Sequence, residues 1–328
     1  MKKNTLNKKL LFIVIFLVFF SFHNFGDAIN ICSWNLNKHY NQEISETVSN
    51  FAKNDNIDIF CLQEVRLELI TTPDALYKTK NLNQRDILDQ IITQLKQKTK
   101  KNWKYVSSGE YAIRKNFGEF NQCPVGLDNA IVYNSDKFEI TNLITDFKLN
   151  DFVNSKECYR TDKNNIIILE VKSNNNTNNP FILINIHLPF SEREVDSSYG
   201  ESNFTRDINV LWNIYQYELL KENLTLIAGD FNLPNASLKL YSDHFSEDEY
   251  LLNEPTTISA KYKIFNQPYD HFILEKEFQN KIENKPSRAA KIQGNLLLLG
   301  KEKTQEFTID SYRKLISDHV PIIISIDP

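Results

Sequence analysis

The sequence predicts a single α/β domain in which two packed β-sheets are covered by helices. Short apolar runs of strand length alternate with longer amphipathic stretches from one end of the chain to the other. Composition does not shift along the way, and only 8 glycines and 10 prolines among 328 residues leave little for a long flexible linker. With 41% hydrophobic and 12% aromatic residues, the chain has enough apolar mass for one large core.

Taken in order, Ile29–Trp34 reads as a strand and Gln42–Lys53 as a helix, with Ile44, Val48, Phe51 and Ala52 at helical spacing. Ile57–Val65 is the next strand. Gln84–Lys96 is amphipathic, with Ile87, Leu88, Ile91, Ile92 and Leu95 on one face. Strands follow at Trp103–Ser107, Ala130–Tyr133, Ile166–Lys172 and Phe181–His187, and the polar run from Ser173 to Asn179 reads as a hairpin loop. The second half predicts a helix over Arg206–Leu220 and strands over Leu224–Ala228, Tyr269–Leu274, Leu296–Leu299 and Val320–Ile326. No short-period repeat is present.

Residues 1–28 are expected to lie outside this domain, which spans 29–328. Lys2, Lys3, Lys8 and Lys9 precede an apolar run from Leu10 to Phe20, and Gly26-Asp27-Ala28 offers a small-x-small cleavage pattern. The run is short for a bilayer span, which needs about 20 residues. Export with cleavage after Ala28 is therefore expected, giving a secreted or periplasmic protein with no stable membrane insertion. The segment carries four Lys and one Asp, so its removal takes the net charge from −4 to −7. Such a protein has no broad electrostatic footprint for nucleic acid; a cation and a local basic patch would have to offset any phosphates.

Four cysteines permit three pairings. Cys32 and Cys61 sit in apolar strands, where buried free thiols are as expected as bridges. A single bridge is best assigned to Cys123 and Cys158, both in polar stretches. No Cys or His spacing suggests zinc.

The chemistry is signalled where apolar strands end in polar residues, because such an ending sets a costly polar group at the rim of the core. Ile31-Cys-Ser-Trp runs into Asn35, and Ile59-Phe-Cys-Leu-Gln into Glu64. Ile182-Leu-Ile-Asn-Ile runs into His187, and Leu224-Thr-Leu-Ile-Ala-Gly into Asp230 and Asn232. Ser317-Asp318-His319 immediately precedes the last strand. Any one of these alone reads as blandly as a structural histidine, a turn or a surface carboxylate; their coincidence does not.

The ordered set SWNL, LQEVR, NIHLP, GDFN, YDHF and SDHVP resembles the endonuclease/exonuclease/phosphatase superfamily, DNase I-like, over essentially the whole chain after residue 28. The resemblance implies a four-layer sandwich of two mixed sheets flanked by helices, and metal-dependent hydrolysis of a phosphate ester. The residue chemistry agrees. Glu64 is a hard oxygen ligand suited to Mg²⁺, and Asn35 can hold the same ion or its waters. Asp318 is a further metal contact. Mn²⁺ is an alternative ion, and a structural Ca²⁺ is left open. His319 is the favoured general base, since imidazole titrates near working pH. Asp270 matches the carboxylate that orients it, His187 is a donor to the phosphate or the leaving oxygen, and Asp230 and Asn232 orient the nucleophile and bind a phosphate oxygen. Which histidine is acid and which is base stays open. His39, His244 and His271 are read as surface residues or residues behind the site.

Substrate must be argued from the flanks. Arg66, two residues after Glu64, and Arg160 in Cys158-Tyr159-Arg160 resemble phosphate-contacting arginines of DNase I-like nucleases, and arginine suits bidentate contact. Asn129 lies where that family backs the first histidine, and is grouped with these substrate-binding positions. The family's loop disulfide is missing, since 233–270 holds no cysteine, and the Trp-Cys-Asp-Arg segment of inositol-phosphate phosphatases is replaced by Pro268-Tyr269-Asp270-His271. An exported monomeric endonuclease acting on DNA is the leading expectation. A sphingomyelinase-like lipid phosphodiesterase is the alternative, with Lys263-Ile-Phe-Asn or Ala112–Phe120 as its membrane-facing loop. A binding module on the same fold is disfavoured by the intact Glu64, Asp230, Asp270 and His319.

Overall fold

The computed structural model describes residues 28–37, 42–66, 84–107, 127–143, 166–174, 180–187, 224–232, 256–258, 269–274, 288–289, 291–293, 296–298, 312–314 and 316–326. Residues 1–27 of the expected leader, the helix over 206–220, Cys123, Cys158, Arg160, His39, His244 and both suggested membrane-facing loops lie outside them. Among the described residues, no helix is long and apolar enough to cross a membrane.

Strands β1 (Ile29–Asn35), β2 (Ile59–Arg66), β3 (Trp103–Ser107), β4 (Leu127–Asn134), β10 (Arg288–Ala289) and β13 (Ile322–Ile326) form a six-stranded mixed sheet in the order β10-β13-β1-β2-β4-β3. A second mixed sheet of five strands runs β5 (Phe138–Leu143), β6 (Ile166–Ser173), β7 (Phe181–His187), β8 (Leu224–Asp230), β9 (Asp270–Leu274). A small hairpin joins β11 (Lys291–Gln293) to β12 (Leu296–Leu298). The two large sheets pack face to face, β1 against β8 and β2 against β7.

Alternation along each strand decides what enters that interface. On β7, Asn185 reaches across to the six-stranded sheet, so Phe181, Leu183 and His187 share its direction, while Ile182, Ile184 and Ile186 point the other way. All seven β7 residues are buried, so both faces of this strand are covered, as its near-continuous apolar run requires. On β1, Cys32 and Trp34 face the helices instead: the Trp34 ring lies 6.5 Å from that of Phe51.

The helices over that face are α1 (Gln42–Asn54) and α2 (Gln84–Thr99), which pack on each other. Ile44, Val48, Phe51 and Ala52 of α1 and Ile91 and Leu95 of α2 are buried as their spacing predicts. Each large apolar side chain so buried contributes about 1.5–3 kcal/mol. Ser45, Thr47 and Ser49 are buried on α1 too, and their hydroxyls donate to the carbonyls of Gln42, Glu43 and Glu46. Lys98 of α2 donates to Asn50 of α1 at 2.6 Å.

Several boundaries differ from expectation. β2 starts at Ile59 rather than Ile57, because Asn56 turns the chain with φ 51° and Asp58 ties its N–H to Asn30 O. β13 starts at Ile322, since Val320 donates its N–H to Thr256 instead of a sheet neighbour. β5 is an addition. Between it and β4 the turn at 135–137 carries the chain from one sheet to the other, so adjacent strands in sequence do not pair. Cys32 and Cys61 are buried free thiols, and burial pushes both thiols up.

Candidate active site

Topology gathers the scattered polar residues. β1 and β2 are parallel, so Asn35 and Glu64 emerge at one edge of their sheet. β13 runs antiparallel to β1, which brings Asp318 and His319, just before it, to that same edge. In the other sheet β7 and β8 are parallel and pair His187 with Asp230; antiparallel β9 then pairs Asp270 with Asp230. Three expected site residues thus stand in one row across three neighbouring strands.

Asp230 lies at the centre. Its Oδ2 accepts an N–H from Asn35 Nδ2 at 2.9 Å and is 3.7 Å from Nε2 of both His187 and His319. Its Oδ1 accepts the backbone N–H of Asn232 at 2.8 Å, a contact allowed by φ 52° at Asn232. Burial lifts the Asp230 carboxyl to about 6, against the lowering influence of His319, His187 and the Asn35 hydrogen bond. Gly229 makes this close approach of strands achievable: a Cβ there would sit 2.0 Å from Ile186 O.

His319 is held from every side. Its Nδ1 is 2.8 Å from Asp270 Oδ2. Its backbone N–H donates to Ser317 Oγ, whose hydroxyl donates to Asn35 O at 2.6 Å. Its carbonyl accepts from Trp34 Nε1 at 3.1 Å and from the Tyr312 hydroxyl at 2.9 Å. Thr256 in turn accepts the Asp270 N–H, and Thr257 bridges to His319. Burial alone would lower the imidazole pKa, but the carboxylates of Asp270, Asp230 and Asp318 prevail and push it up to about 10.

Glu64 completes the edge, with Oε1 3.6 Å from His187 Nε2 and φ 50°. Asp318 stands at the rim, 4.0 Å from His319 Nε2 and 3.9 Å from Arg313. Four carboxylates and two imidazoles therefore meet in one place, an excess of negative charge that favours a cation. The donor set fits a hard divalent ion. The Glu64 and Asp318 side chains remain 16% and 29% exposed, whereas Asp230 and Asp270 are closed off. Asn35 Oδ1 accepts the Asn37 N–H at 2.8 Å and keeps a second lone pair for an ion. Asp230, Asp270 and His319 also lie within ion-binding reach of one another. Their contact already satisfies His319 Nδ1, an arrangement that orients an imidazole.

Asn129 requires a correction as a substrate contact. It is fully buried and its Nδ2 donates to Asn185 O at 3.3 Å, two residues before His187, where substrate cannot reach it. Arg66 ends β2 opposite Leu127. His271 follows Asp270 on the opposite face of β9; it is buried, with Phe231 against its ring at 5.7 Å, so a surface position is excluded. Sequence reasoning passed over Gln63, Asn185, Trp34, Ser317, Thr256 and Tyr312 as individual contributors. The first four stand inside the quoted motifs, where a polar or aromatic residue in a buried strand or beside the histidine was the available signal; Thr256 and Tyr312 carried none.

No protein-family model matches the sequence, and no curated protein matches it. Among solved structures, an endonuclease/exonuclease/phosphatase family protein from Leptotrichia buccalis C-1013-b aligns with TM-score 0.56 and 14% identity over 92% of this chain and 100% of that one. An AP endonuclease from Archaeoglobus fulgidus aligns with TM-score 0.52 and 14% identity over 92% and 100%. A 3′ phosphatase, NExo, from Neisseria, bound to a product DNA hairpin, aligns with TM-score 0.51 and 13% identity over the same shares. The two packed mixed sheets and their helices are thus the DNase I-like fold of the endonuclease/exonuclease/phosphatase proteins.

Proposed function

We propose that this protein is a divalent-metal-dependent phosphodiesterase, and that its substrate is DNA. The observation that carries the reading is the contact of His319 with Asp270 at 2.8 Å and with Asp230 at 3.7 Å, on a strand edge crowded with carboxylates. In its neutral form His319 takes a proton from the attacking water at Nε2, while Asp270 holds Nδ1–H and stabilises the imidazolium. Asp230, fixed by Asn35 and Asn232, orients that water. His187 Nε2 donates to the phosphoryl group. An Mg²⁺ ion held by Glu64 and Asn35, with Asp318 at the rim, would neutralise phosphoryl oxygens and offset the carboxylates that keep His319 protonated.

DNA as substrate is supported by the names of two structural neighbours, an AP endonuclease and a phosphatase bound to a DNA product, and by Arg66 two residues after Glu64 in the sequence. Export belongs to the same proposal and rests on residues 1–28; a monomeric state is proposed with it. The test is supercoiled plasmid incubated with purified protein and Mg²⁺, with and without EDTA. EDTA-sensitive nicking that is lost in His319→Ala is the expected result. Absence of nicking, with phosphocholine released from sphingomyelin instead, overturns the DNA assignment.

A further inference from the structure

The aim of Glu64 depends on an irregularity in β2. The β2–β4 ladder is regular through Leu62 opposite Ala130 and resumes at Val65 opposite Asp128. Gln63 and Glu64 therefore face the single residue Asn129, which is a β-bulge. Without it, alternation from Gln63, which points at the other sheet, would turn Glu64 toward the helices. The extra residue, with φ 50° at Glu64, brings that carboxylate to 3.6 Å from His187 on the opposite sheet.

A bulge buried between two sheets leaves backbone groups off the ladder, and these must find other partners. One side chain reaches the backbone beside this bulge from the facing sheet. Asn185 Nδ2, from β7, donates to Leu62 O at 3.1 Å and to Ala130 O at 3.0 Å, the two carbonyls flanking the bulge. Asn185 Oδ1 accepts from Gln63 Nε2 at 2.7 Å, and Asn185 O accepts from Asn129 Nδ2 at 3.3 Å. Gln63 Nε2 also reaches Ser33 Oγ and Cys61 O. Asn185, Gln63 and Asn129 are all fully buried. Asn185 is also two residues before His187, on the same face of β7.

We propose that Asn185 is a positioning residue, whose carboxamide fills the β2 bulge and so sets Glu64 against His187 across the two sheets. The inference rests on the reading of Glu64 as a ligand of the divalent ion. Leucine repeats the branched heavy-atom skeleton of asparagine with none of its hydrogen bonds, so Asn185→Leu removes both donations to the carbonyls beside the bulge and the acceptor of Gln63 Nε2.

The experiment is a Mn²⁺ titration of the purified protein without substrate, followed by electron paramagnetic resonance. Loss of a residue that orients a ligand typically weakens metal binding roughly 10- to 100-fold. A fall of that size is expected in Asn185→Leu and a smaller fall in Gln63→Met. Val171→Ala, a buried truncation on β6, should lose stability yet bind Mn²⁺ as the parent does. If Asn185→Leu fails to fold, Gln63→Met carries the test. Affinity within about twofold of the parent in the folded variants, with Glu64→Gln losing it, overturns the positioning role alone. Unchanged affinity in Glu64→Gln overturns the ligand reading and the proposal with it.

Discussion

The two sheets reach the same edge by different means. The five-stranded sheet delivers His187, Asp230 and Asp270 through unbroken register, each opposite the next on adjacent strands. The six-stranded sheet delivers Glu64 through a bulge and His319 through a loop tied down by Ser317, Trp34 and Tyr312. Strict register places side chains at fixed spacing on one face, which suits groups that share a row. A carboxylate and an imidazole that lean toward that row from the facing sheet need backbone departures, and each departure needs its own partners. One half of the site is therefore as robust as its ladder, and the other as robust as a few buried hydrogen bonds.

The largest expected effect falls on the middle of the regular row. Asp230→Asn should lower nicking activity by about a thousandfold, in the range of lost acid–base and orienting groups. It should also raise Tm at pH 8, because burial makes the ionised Asp230 a destabilising group there. The folded carboxyl titrates near 6 against an ordinary value of 3.8, so its contribution is present below the ordinary value and lost as pH rises through 6. Loss of both activity and stability would show that the row is held together by this charge rather than by its register.

Next comes the backbone beneath the row. Gly229→Ala would drive a methyl into Ile186 O, and both positions are in paired strands with no slack. A loss of about 3 kcal/mol or more in urea unfolding is expected, from overpacking and backbone strain together. A change under about 0.5 kcal/mol would mean that β7 and β8 can separate, and that register is not what fixes their side chains.

The third effect tests the irregular half through pH. Asp270 is the first of the carboxylates holding the proton on His319, so Asp270→Asn should move the ascending limb of kcat/KM to lower pH while reducing its plateau. Stability carries the same sign. His319, raised from 6.5 to about 10 in the fold, stabilises fully below 6.5, and that contribution is lost as pH rises through 10. His319→Ala should flatten the alkaline decline in stability expected from pH 7 to 10, as followed by urea denaturation at each pH. A limb that stays in place in Asp270→Asn would detach His319 from the proton transfer.

Much of the molecule was legible residue by residue. The ends of β1, β2, β7 and β8 were visible because a buried strand has no physical reason to finish in Asn, Glu, His or Asp unless something uses them. The two long helices among the described residues were visible in the spacing of Ile44, Val48 and Phe51 and of Ile87, Ile91 and Leu95. β5 was not, since Phe138–Leu143 alternates weakly and follows a short turn that elsewhere would close a hairpin. Nor was the bulge: Gln63-Glu64 reads as ordinary alternation, and its meaning lies in Asn185, 122 residues away. Asn129, read as backing the first histidine, was grouped with the substrate contacts because sequence carries no depth.

By itself, then, the sequence marked the polar strand ends that the structure gathers and most of the strands, because apolar period and polar strand ends are local properties. Only the tertiary structure decided how they meet. Parallel pairing of β1 with β2 and β7 with β8, the antiparallel return of β9 and β13, and the bulge that swings Glu64 across the interface are all relations between distant segments. The same is true of the charge on His319, which is set by three carboxylates from two strands of the facing sheet and a loop. Electrostatics and register act through space, and the distances that govern them exist only once the two sheets have packed.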